Sequence, residues 1–405
     1  MPPRIIYLTQ LFDPEPTFKG LTFAKALANS GFDVEVVTGF PNYPGGKIYK
    51  GYRQSLLHRE TLDGIPVTRL PVYPSHDRSG LRRIVSYFSF FVSAAIYLVF
   101  VTRRANVILV FYPSLTAGFA AIIAKLFRRT PVVIDIQDMW PDSLPATGMV
   151  RSKLLLGVIA AACKVLYSLT DHVIVLSNGF KKLLVQRGVS ASRCTVVYNW
   201  AEETDVSEID QTVQKLYPQD RFNVLFAGNM GVAQGLDTIV EAAALLQERE
   251  PRILIHMMGE GIDAGRLQAK ANALGLGNII FRPRVPLKDV QQHLRSADVL
   301  LVHLARDPLF EITIPSKTQA YLFAGKPIVM AAEGEAAAMV RASGAGFICG
   351  PGSAPGLAEA ILQASRLGRV SLDEMGKRGR SFYDRHLSFS SGFGNTEAVL
   401  RVVMR

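Results

Sequence analysis

The chain has 405 residues, a length that predicts two or three domains with a full core in each. It is 49% hydrophobic and 20% charged, which excludes an intrinsically disordered protein. The 45 Lys and Arg residues outnumber the 34 Asp and Glu residues, and the formal charge of +11 favours anionic partners such as lipid headgroups, phosphorylated substrates or nucleic acid. Nucleic acid is the least favoured of these, because no basic cluster with interleaved aromatic residues resembles a nucleic-acid-binding motif.

The cysteines and the amino terminus indicate where the protein works. Cys163, Cys194 and Cys349 are far apart and odd in number, so they predict neither a metal site nor a disulfide framework. This usage suits a reducing cytoplasm. The amino-terminal residues MPPRIIYLTQLF contain no long apolar run that ends in small residues, so we expect no signal peptide.

The first forty residues read as strand, loop, helix and strand. This βαβ pattern predicts a parallel sheet, in which ligands bind beyond the carboxyl ends of the strands. Gly20 and the loop PNYPGGKIYKGY (residues 41–52) should therefore lie at the rim of a cleft. Asn42 and Tyr43 in this loop are candidate contacts for a sugar or a phosphate, and the alternative is that each is an ordinary turn residue.

An apolar segment, residues 84–101, lies between two arginine pairs. About 18 to 20 such residues can span a bilayer, but strands of one parallel sheet are predicted on both sides of the segment, which disfavours spanning. A buried crossover helix is the second interpretation. We favour an interfacial helix on anionic lipid, which phenylalanines with flanking arginines suit. Its packing stripe would be Ser86, Ser89, Ser93 and Tyr97. Its candidate membrane contacts are Arg82, Arg83, Phe88, Phe91 and Val99.

The strand VVIDI is followed by QDMWPD at residues 137–142, where a cleft residue belongs. Asp138 is a candidate acid, base or hydroxyl-binding group, and Trp140 is a candidate platform for a sugar ring. The alternative is that Asp138 caps a turn and Trp140 fills the core. This segment has no Asp-x-Asp pair that could hold a divalent metal.

A polar linker at residues 201–219 precedes a second α/β half. Its first strand, NVLFA, leads into the glycine-rich turn GNMGVAQG (residues 228–235) and an amphipathic helix. Backbone N–H groups in such a turn can approach a pyrophosphate closely, although the pattern is weak alone. The next strand ends in GEG at residues 259–261. We therefore predict two doubly wound halves, with a cleft between them and a helical tail (residues 372–405) that packs back on the first half.

The stretch EITIPSKTQAYLFAGKPIVM (residues 311–330) predicts a short helix followed by a strand. Ser316 is the predicted cap. Lys317 would lie in the first helical turn, where a cation is unfavourable by a few tenths of a kcal/mol unless an anion is close. A helix start with free N–H groups and a lysine therefore predicts a phosphate site, and the alternative is a surface lysine.

Taken together, FAGNMGVAQGLD, MMGEG, ADVL and IPSKTQAYLFAGKPIV resemble the donor half of a family 4 glycosyltransferase. The loop PNYPGGKIYKGY, the apolar helix and DIQDMWPDS resemble the other half of the bacterial polysaccharide-assembly members, including the fucosamine-transferase type. The resemblance covers nearly the whole chain. It implies the GT-B fold, a nucleotide-sugar donor, no metal, and retention of anomeric configuration.

The resemblance implies an acceptor-binding Rossmann-like domain at residues 1–200, to which residues 385–405 return, and a donor-binding one at residues 201–384. Expected catalytic residues are Asp138 and Lys317. Expected donor contacts are Gly228, Asn229, Gly231, Gln234, Gly259, Glu260, Gly261, Arg282, Ser316, Lys317 and Gln319. Expected acceptor contacts are Gly20, Asn42, Tyr43 and Trp140.

Two departures from the family pattern affect these assignments. The family commonly has Arg and Lys in the glycine-rich turn, where this chain has Asn229 and Gln234, so Lys317, Arg282 or Arg284 would have to supply positive charge. The family also has two glutamates separated by seven residues. Here Glu311 is followed at that spacing by Gln319, and alignment on Gly325 puts Ala320 there instead.

The expected reaction is transfer of a sugar, for example an N-acetylated deoxyhexosamine such as FucNAc, from a UDP-type donor. The acceptor would be a polyprenyl-diphosphate-linked saccharide of O-antigen or capsule biosynthesis at the cytoplasmic face of the inner membrane. The alternatives are a nucleotide-sugar epimerase of the same fold and a two-lobed sugar-binding protein. The apolar helix argues against the first, and the lack of a signal peptide argues against the second.

Overall fold

The computed structural model describes residues 2–75, 80–112, 115–146, 150, 152–204, 206 and 208–405. The chain forms two compact units. The N-terminal unit comprises Met1–Leu176, Phe180–Val197 and Phe393–Arg405, and the C-terminal unit comprises Ser177–Gly179 and Tyr198–Gly392. Each unit is an α/β structure around one sheet.

Eight strands form the sheet of the N-terminal unit: β1 (Arg4–Leu8), β2 (Asp33–Gly39), β3 (His58–Leu62), β4 (Ile65–Leu70), β5 (Val107–Tyr112), β6 (Val132–Ile136), β7 (His172–Val175) and β8 (Cys194–Val196). Their spatial order is β3-β4-β2-β1-β5-β6-β7-β8. All neighbours pair in parallel except β3 and β4, which form an antiparallel hairpin at one edge.

The first six helices are α1 (Leu21–Asn29), α2 (Gly80–Ile96), α3 (Leu115–Arg128), α4 (Ser143–Ala146), α5 (Lys153–Leu169) and α6 (Asn178–Gln186). A π-helical turn, Tyr97–Val101, continues α2. Central strands such as β6 are buried along their whole length, as expected for a parallel sheet covered on both faces. Because parallel crossovers are right-handed, α2, α3 and α5 lie on one face of the sheet and α1 lies on the other.

The apolar segment at residues 84–101 packs on the N-terminal unit through its serines, as the sequence spacing predicts. Ser89 Oγ accepts a hydrogen bond from the N–H of Tyr73 at 2.7 Å, and Ser93 Oγ donates to the carbonyl of Pro71 at 2.9 Å. Among the described residues this is the one helix long and apolar enough to cross a bilayer, and a third of it is buried.

A buried carboxylate, Glu35 of β2, holds the end of this apolar segment. It accepts hydrogen bonds from the hydroxyls of Tyr97, Thr68 (3.0 Å) and Thr102 (3.2 Å). Arg4 also donates to it at 2.7 Å, so the negative charge is compensated inside the sheet. The segment is therefore attached to the unit at its end as well as along its serine stripe.

Six parallel strands form the sheet of the C-terminal unit: β9 (Phe222–Ala227), β10 (Ile253–Met258), β11 (Ile279–Arg282), β12 (Val299–His303), β13 (Ile328–Ala331) and β14 (Gly346–Cys349). Their order is β11-β10-β9-β12-β13-β14. Chain order reverses between β9 and β12, and ligands of doubly wound sheets bind beyond the carboxyl ends of strands at such a switch point.

The remaining helices are α7 (Gln211–Gln214), α8 (Asp237–Arg249), α9 (Ala264–Ala273), α10 (Leu287–Ser296), α11 (Pro308–Glu311), α12 (Ser316–Ala324), α13 (Gly334–Ser343), α14 (Ala354–Arg366), α15 (Arg369–His386) and α16 (Phe389–Val403). The last helix returns to the N-terminal unit at Phe393, whose ring centroid lies 5.9 Å from that of Phe23 in α1. Arg401 of α16 donates to the carbonyl of Ser30 at 2.9 Å.

The segment predicted as a polar linker is partly structured within the C-terminal unit. Tyr217 is fully buried, its ring centroid lies 4.7 Å from that of His256, and its hydroxyl hydrogen-bonds His293 Nδ1 at 3.0 Å. The sequence analysis missed this packing because one aromatic residue in a polar segment carries no periodic signal.

A buried ion pair fastens the loop before α1 to the sheet. Lys19 Nζ contacts the carboxylate of Asp135 in β6, and both residues are almost fully buried. Gln137 Nε2 donates to the same carboxylate at 2.7 Å, and the Tyr7 hydroxyl donates to the carbonyl of Lys19 at 2.5 Å. These bonds connect the carboxyl end of β6 to the loop that holds Gly20.

Replacing Lys19 alone should destabilise the N-terminal unit, because Asp135 would remain buried without its cation. We expect Lys19→Met to cost about 3 kcal/mol and to lower the melting temperature by several degrees. The double variant Lys19→Met, Asp135→Leu should recover most of this loss, because no unpaired charge remains. Equal loss in both variants, measured by calorimetry, would show that the charges are not the cause.

Candidate active site

Two of the predicted donor motifs meet in the C-terminal unit. Gly228 follows β9 with a φ of +144°, and a Cβ atom at this position would lie 2.4 Å from Cε of Lys317 and 2.9 Å from its Nζ. A side chain at position 228 would therefore displace the lysine. The Lys317 ammonium lies 4.6 Å from the centroid of the Phe226 ring, within cation–π range. The glycine thus makes room for Lys317 at the end of β9.

The helix that carries Lys317 has no side-chain cap. The sequence predicts Ser316 as the cap, but this prediction is wrong: Pro315 occupies the capping position and Ser316 is the first helical residue, exposed to solvent. Proline suits this position because its ring holds φ near −66°, the value observed. Since proline has no side-chain acceptor, α12 begins without the carboxylate or hydroxyl cap that would satisfy its first N–H groups.

Lys317 is half-buried, and burial lowers the pKa of its ammonium from the usual 10.5 to about 8. Desolvation is the single cause of this shift, so no carboxylate of the described residues compensates the charge. A poorly hydrated ammonium beside the positive end of a helix dipole is unfavourable by itself. The arrangement is suited to binding an anion, which would supply the missing negative charge.

The glycine-rich turn and the loop after β10 lie side by side along their main chains. The N–H of Gly228 donates to the carbonyl of Met258 at 2.9 Å, and the N–H of Met230 donates to the carbonyl of Glu260 at 2.7 Å. The turn is thereby held against residues 259–261, as expected for two loops at one edge of a parallel sheet. The Glu260 side chain itself is exposed.

Asn229 and Gln234, which stand where the family has cations, differ in their surroundings. Asn229 is exposed. The side-chain oxygen of Gln234 accepts a hydrogen bond from the N–H of Gly231 at 3.2 Å, so this amide closes the short 3-10 turn formed by residues 232–234. The Gln234 side chain therefore stabilises the turn by binding the main chain of Gly231.

Arg282, a candidate source of positive charge, is engaged inside the C-terminal unit. Its Nε donates to His256 Nδ1 at 3.1 Å, and a terminal nitrogen donates to the carbonyl of Leu216 at 2.8 Å. The guanidinium also lies 5.8 Å from the ring centroid of Tyr217. Of the cations considered from the sequence, Lys317 and the exposed Arg284 are left.

The two positions of the family's glutamate pair also have separate environments. Glu311 ends α11 and is exposed. Gln319 is buried, and in the amide orientation that satisfies its hydrogen bonds it donates to the carbonyls of Pro315 at 2.8 Å and Ser316 at 3.3 Å. Gln319 thus braces the start of α12 from within.

Two buried residues that the sequence analysis did not single out hold the candidate site in place. Tyr321 of α12 accepts a hydrogen bond from the N–H of Ala227 at 2.9 Å, which ties the helix to the end of β9. His303 ends β12, and its Nδ1 donates to the carbonyl of Gln234 at 2.6 Å while its Nε2 accepts from the N–H of Gly352 at 3.4 Å. A histidine at the end of the apolar strand VLLVH was the available signal.

In the N-terminal unit, Asp138 follows β6, and its side chain reaches solvent. Desolvation by its surroundings nevertheless raises the pKa of the carboxyl above its usual 3.8. Trp140 is half-buried, and its main-chain N–H donates to the carbonyl of Asp138 at 3.1 Å. No group of three or more His, Cys, Asp and Glu residues that could hold a metal occurs in the described part of the chain.

The other candidate acceptor contacts are organised by the buried carboxylate of Glu15. Its Oε1 accepts hydrogen bonds from the N–H groups of Asn42 and Tyr43, both at 2.7 Å. The Asn42 side chain is buried and donates to the carbonyl of Phe40 at 2.9 Å, so it stabilises its own loop. Gly20 precedes α1, where a Cβ atom would lie 2.2 Å from a carboxylate oxygen of Asp13.

The candidate membrane contacts of the N-terminal unit differ in exposure. Phe88 is 58% exposed, and its ring centroid lies 5.5 Å from that of the half-buried Phe91. Val99 is also half-buried, and Arg82 is exposed. The side chain of Arg83 lies outside the described part of the structure.

The lowered pKa of Lys317 predicts a stability that depends on pH. Between pH 8 and 10.5 the unfolded chain binds more protons at this lysine than the folded chain. The destabilising effect of the lysine is therefore complete below pH 8 and disappears as the pH rises to 10.5. Lys317→Met should raise the free energy of unfolding by up to about 3 kcal/mol at pH 7.

That gain should shrink towards zero by pH 10.5. Melting temperatures of the two proteins across this range, without ligand, test the prediction. Lys288, an exposed lysine on α10, provides the matched control Lys288→Met, which should change little. A gain that is the same at every pH would mean that packing, and not charge, is responsible.

Comparison with known proteins identifies the family. Residues 21–200 match the glycosyl transferase 4-like domain, and residues 221–366 match the glycosyl transferases of group 1. WcaI of Escherichia coli (strain K12), named as a proposed glycosyl transferase of colanic acid biosynthesis, is 28% identical over 319 residues, which are 76% of this chain and 77% of that protein. A D-inositol 3-phosphate glycosyltransferase of Thermomonospora curvata is 29% identical over 150 residues, 34% of each chain.

Solved structures share the fold over almost the whole chain. HepE of Anabaena, crystallised with UDP, has a TM-score of 0.70 at 16% identity and covers 98% of this chain and 100% of its own. Sucrose-phosphate synthase of Thermosynechococcus elongatus has a TM-score of 0.72 at 17% identity over 99% of both chains. The two family matches select the transferase over the epimerase and the sugar-binding protein. The chain belongs to the family 4 glycosyltransferases and has the GT-B fold.

Proposed function

We propose that this glycosyltransferase moves a sugar from a UDP-type nucleotide sugar to a polyprenyl-diphosphate-linked saccharide during surface-polysaccharide assembly, in O-antigen or capsule biosynthesis. The observation that carries the proposal is the uncompensated ammonium of Lys317 beside Gly228 and the uncapped start of α12. The name of WcaI supports the polysaccharide context, and the UDP-bound crystals of HepE support the nucleotide. An N-acetylated deoxyhexosamine such as FucNAc is the first donor sugar to test.

The proposed donor site uses the positive groups at the switch point of the C-terminal sheet. The diphosphate would accept hydrogen bonds from the start of α12 and from main-chain N–H groups of the turn at residues 228–235 other than those that are bonded within the unit, such as those of Gly228, Met230 and Gly231. Lys317 would form the ion pair, and its pKa would rise on binding because the phosphate compensates its charge. The loop at residues 259–261 would contact the nucleoside.

The proposed chemistry needs electrostatic stabilisation more than a strong base. When the sugar–phosphate bond breaks, new negative charge develops on the departing diphosphate, and Lys317 and the N–H groups would stabilise it there. In retaining transfer that phosphate can accept the proton of the acceptor hydroxyl. Asp138 would then orient the sugar, and in inverting transfer Asp138 would be the base. Desolvation raises the pKa of its carboxyl, which is favourable for the role of a base. The reaction as proposed requires no metal.

We also propose that the enzyme acts at the cytoplasmic face of the inner membrane as a monotopic protein. The exposed Phe88 and the 76% exposed Phe100 on the apolar segment support lipid contact. The hydrogen bonds of its serines to the N-terminal unit favour a helix that lies on the membrane over one that crosses it. A lipid-linked acceptor would then be presented at the same surface.

A transfer assay tests the proposal. Wild-type protein is incubated with a panel of nucleotide sugars, UDP-FucNAc among them, and with a detergent-solubilised polyprenyl-linked acceptor. We expect product from a UDP-sugar and a fall of about 100-fold or more in kcat/KM for Lys317→Ala. Lys288→Ala is the matched control and should retain activity. Full activity in both Lys317→Ala and Asp138→Ala would remove the site assignment.

His303 should act through the glycine-rich turn, because its Nδ1 donates to Gln234. Loss of one hydrogen bond is worth about 1 kcal/mol, so His303→Leu should weaken UDP binding about fivefold. His303→Asn keeps a donor at the position of Nδ1 and should stay within about twofold of wild type. Calorimetric titration with UDP measures both. If Asn and Leu weaken binding equally, the side chain has only a packing role.

A further inference from the structure

Helix α5 of the N-terminal unit presents an apolar stripe to solvent. Leu154, Val158, Ala161, Val165 and Leu169 recur at spacings of four, three, four and four residues, and all are exposed. Leu154 is 81% exposed and Val158 is 59% exposed. A surface helix normally carries polar residues at these positions. An apolar stripe of this length therefore indicates that the helix binds a separate partner.

The opposite face of α5 is already used for packing. Cys163, Leu166 and Tyr167 are buried, and Leu166 lies so close to α3 that a Cβ atom on Gly118 would be 2.9 Å from it. The helix is therefore apolar on both its buried and its exposed sides. The exposed stripe is therefore additional to the apolar residues that pack on the N-terminal unit.

The same side of the sheet carries a second apolar stripe. On α2 and the π-helical turn, apolar residues recur every four positions and are exposed: Ile84, Phe88, Val92, Ile96 and Phe100. Helix α3 packs between α2 and α5 and ends in the exposed Leu126 and Phe127. Three helices that are separate in sequence thus expose apolar side chains on one face of the N-terminal unit.

The charge of this surface indicates the kind of partner. The sequence has no Asp or Glu between residues 78 and 134, nor between residues 143 and 170. Its exposed charged residues there are basic: Arg82, Arg103, Arg104, Arg129, Lys153 and Lys164. Asp142 and Asp171, the acidic residues next to these segments, are paired with Arg187 and Lys125. Apolar residues with a predominantly cationic surround are complementary to a bilayer that contains anionic lipid. A second copy of the chain is a poor fit, because a two-fold interface would bring like charges together.

We propose that α5 is a second lipid-contacting element, so that the membrane-binding surface consists of α2 with its π-helical turn, the end of α3, and α5. The inference extends the membrane contact of the proposed function and does not depend on the identity of the donor or acceptor. One interfacial helix leaves a protein free to rotate about the helix axis. Two helices held apart by α3 define a plane and fix the orientation of the N-terminal unit on the bilayer.

Vesicle flotation with substituted full-length protein tests this inference. The test variant is Leu154→Asp, Val158→Asp, and the matched control is Leu287→Asp, Val370→Asp, two residues of the C-terminal unit that are 65% and 73% exposed. Vesicles contain phosphatidylethanolamine with phosphatidylglycerol, or phosphatidylcholine alone. We expect the α5 variant to lose binding to the anionic vesicles by about tenfold or more, and the control to bind like wild type.

Other outcomes would overturn the inference. Unchanged flotation of the α5 variant would exclude α5 from the lipid contact, even if Phe88→Asp, Phe100→Asp abolishes binding. Unchanged flotation together with a change from dimer to monomer in light scattering would assign the stripe to a second copy. Circular dichroism and melting of each variant establish that it is folded. If UDP stabilises no form of the protein, the proposed donor is wrong, while the flotation result still decides the role of α5.

Discussion

The candidate site depends on one electrostatic constraint: the ammonium of Lys317 lies at the end of β9, and no carboxylate in the described part of the chain compensates its charge. Lys317 reaches the carboxyl end of β9 because Gly228 has no side chain, and the Phe226 ring offers it only a weak cation–π contact. The folded protein tolerates this cost because the surrounding elements keep the lysine in place. Tyr321 ties α12 to β9, and Gln319 braces the first turn of that helix. Stability given up in this way is typical of a site that is completed by its ligand.

The fold could be predicted well because its sequence patterns, apolar strands followed by glycine-bearing turns, are long and occur many times. Buried parallel strands read as continuous apolar runs, and glycine-bearing turns followed them at regular intervals, so two doubly wound halves could be expected before the structure was known. The serine stripe of the apolar helix was predictable for the same reason, since its spacing is helical. Side-chain partners were harder to predict. Arg282 was a candidate cation, yet it pairs with His256 because Tyr217, from a segment that reads as a linker, packs beside both.

Other features could not be predicted because they depend on what surrounds an element and not on its pattern. Ser316 has the residue type of a cap, but Pro315 takes that position. Helix α5 has apolar residues on both its buried and its exposed side. Such a sequence predicts a covered helix, but it does not indicate whether protein or lipid covers the outer side. His303 forms the end of an otherwise apolar strand, and its two hydrogen bonds become visible only when loops from three strands are brought together.

The attachment of the apolar helix has a consequence for the biogenesis of the chain. Its hydrogen-bonding partners at Glu35, Pro71 and Tyr73 all precede it, so they have already been synthesised when the helix leaves the ribosome. The helix can dock on the nascent hairpin and first strands before β5 exists, in keeping with folding from the amino terminus during translation. Once β5 pairs with β1, the strands on either side of the helix belong to one sheet, an arrangement that a helix crossing a bilayer could not connect.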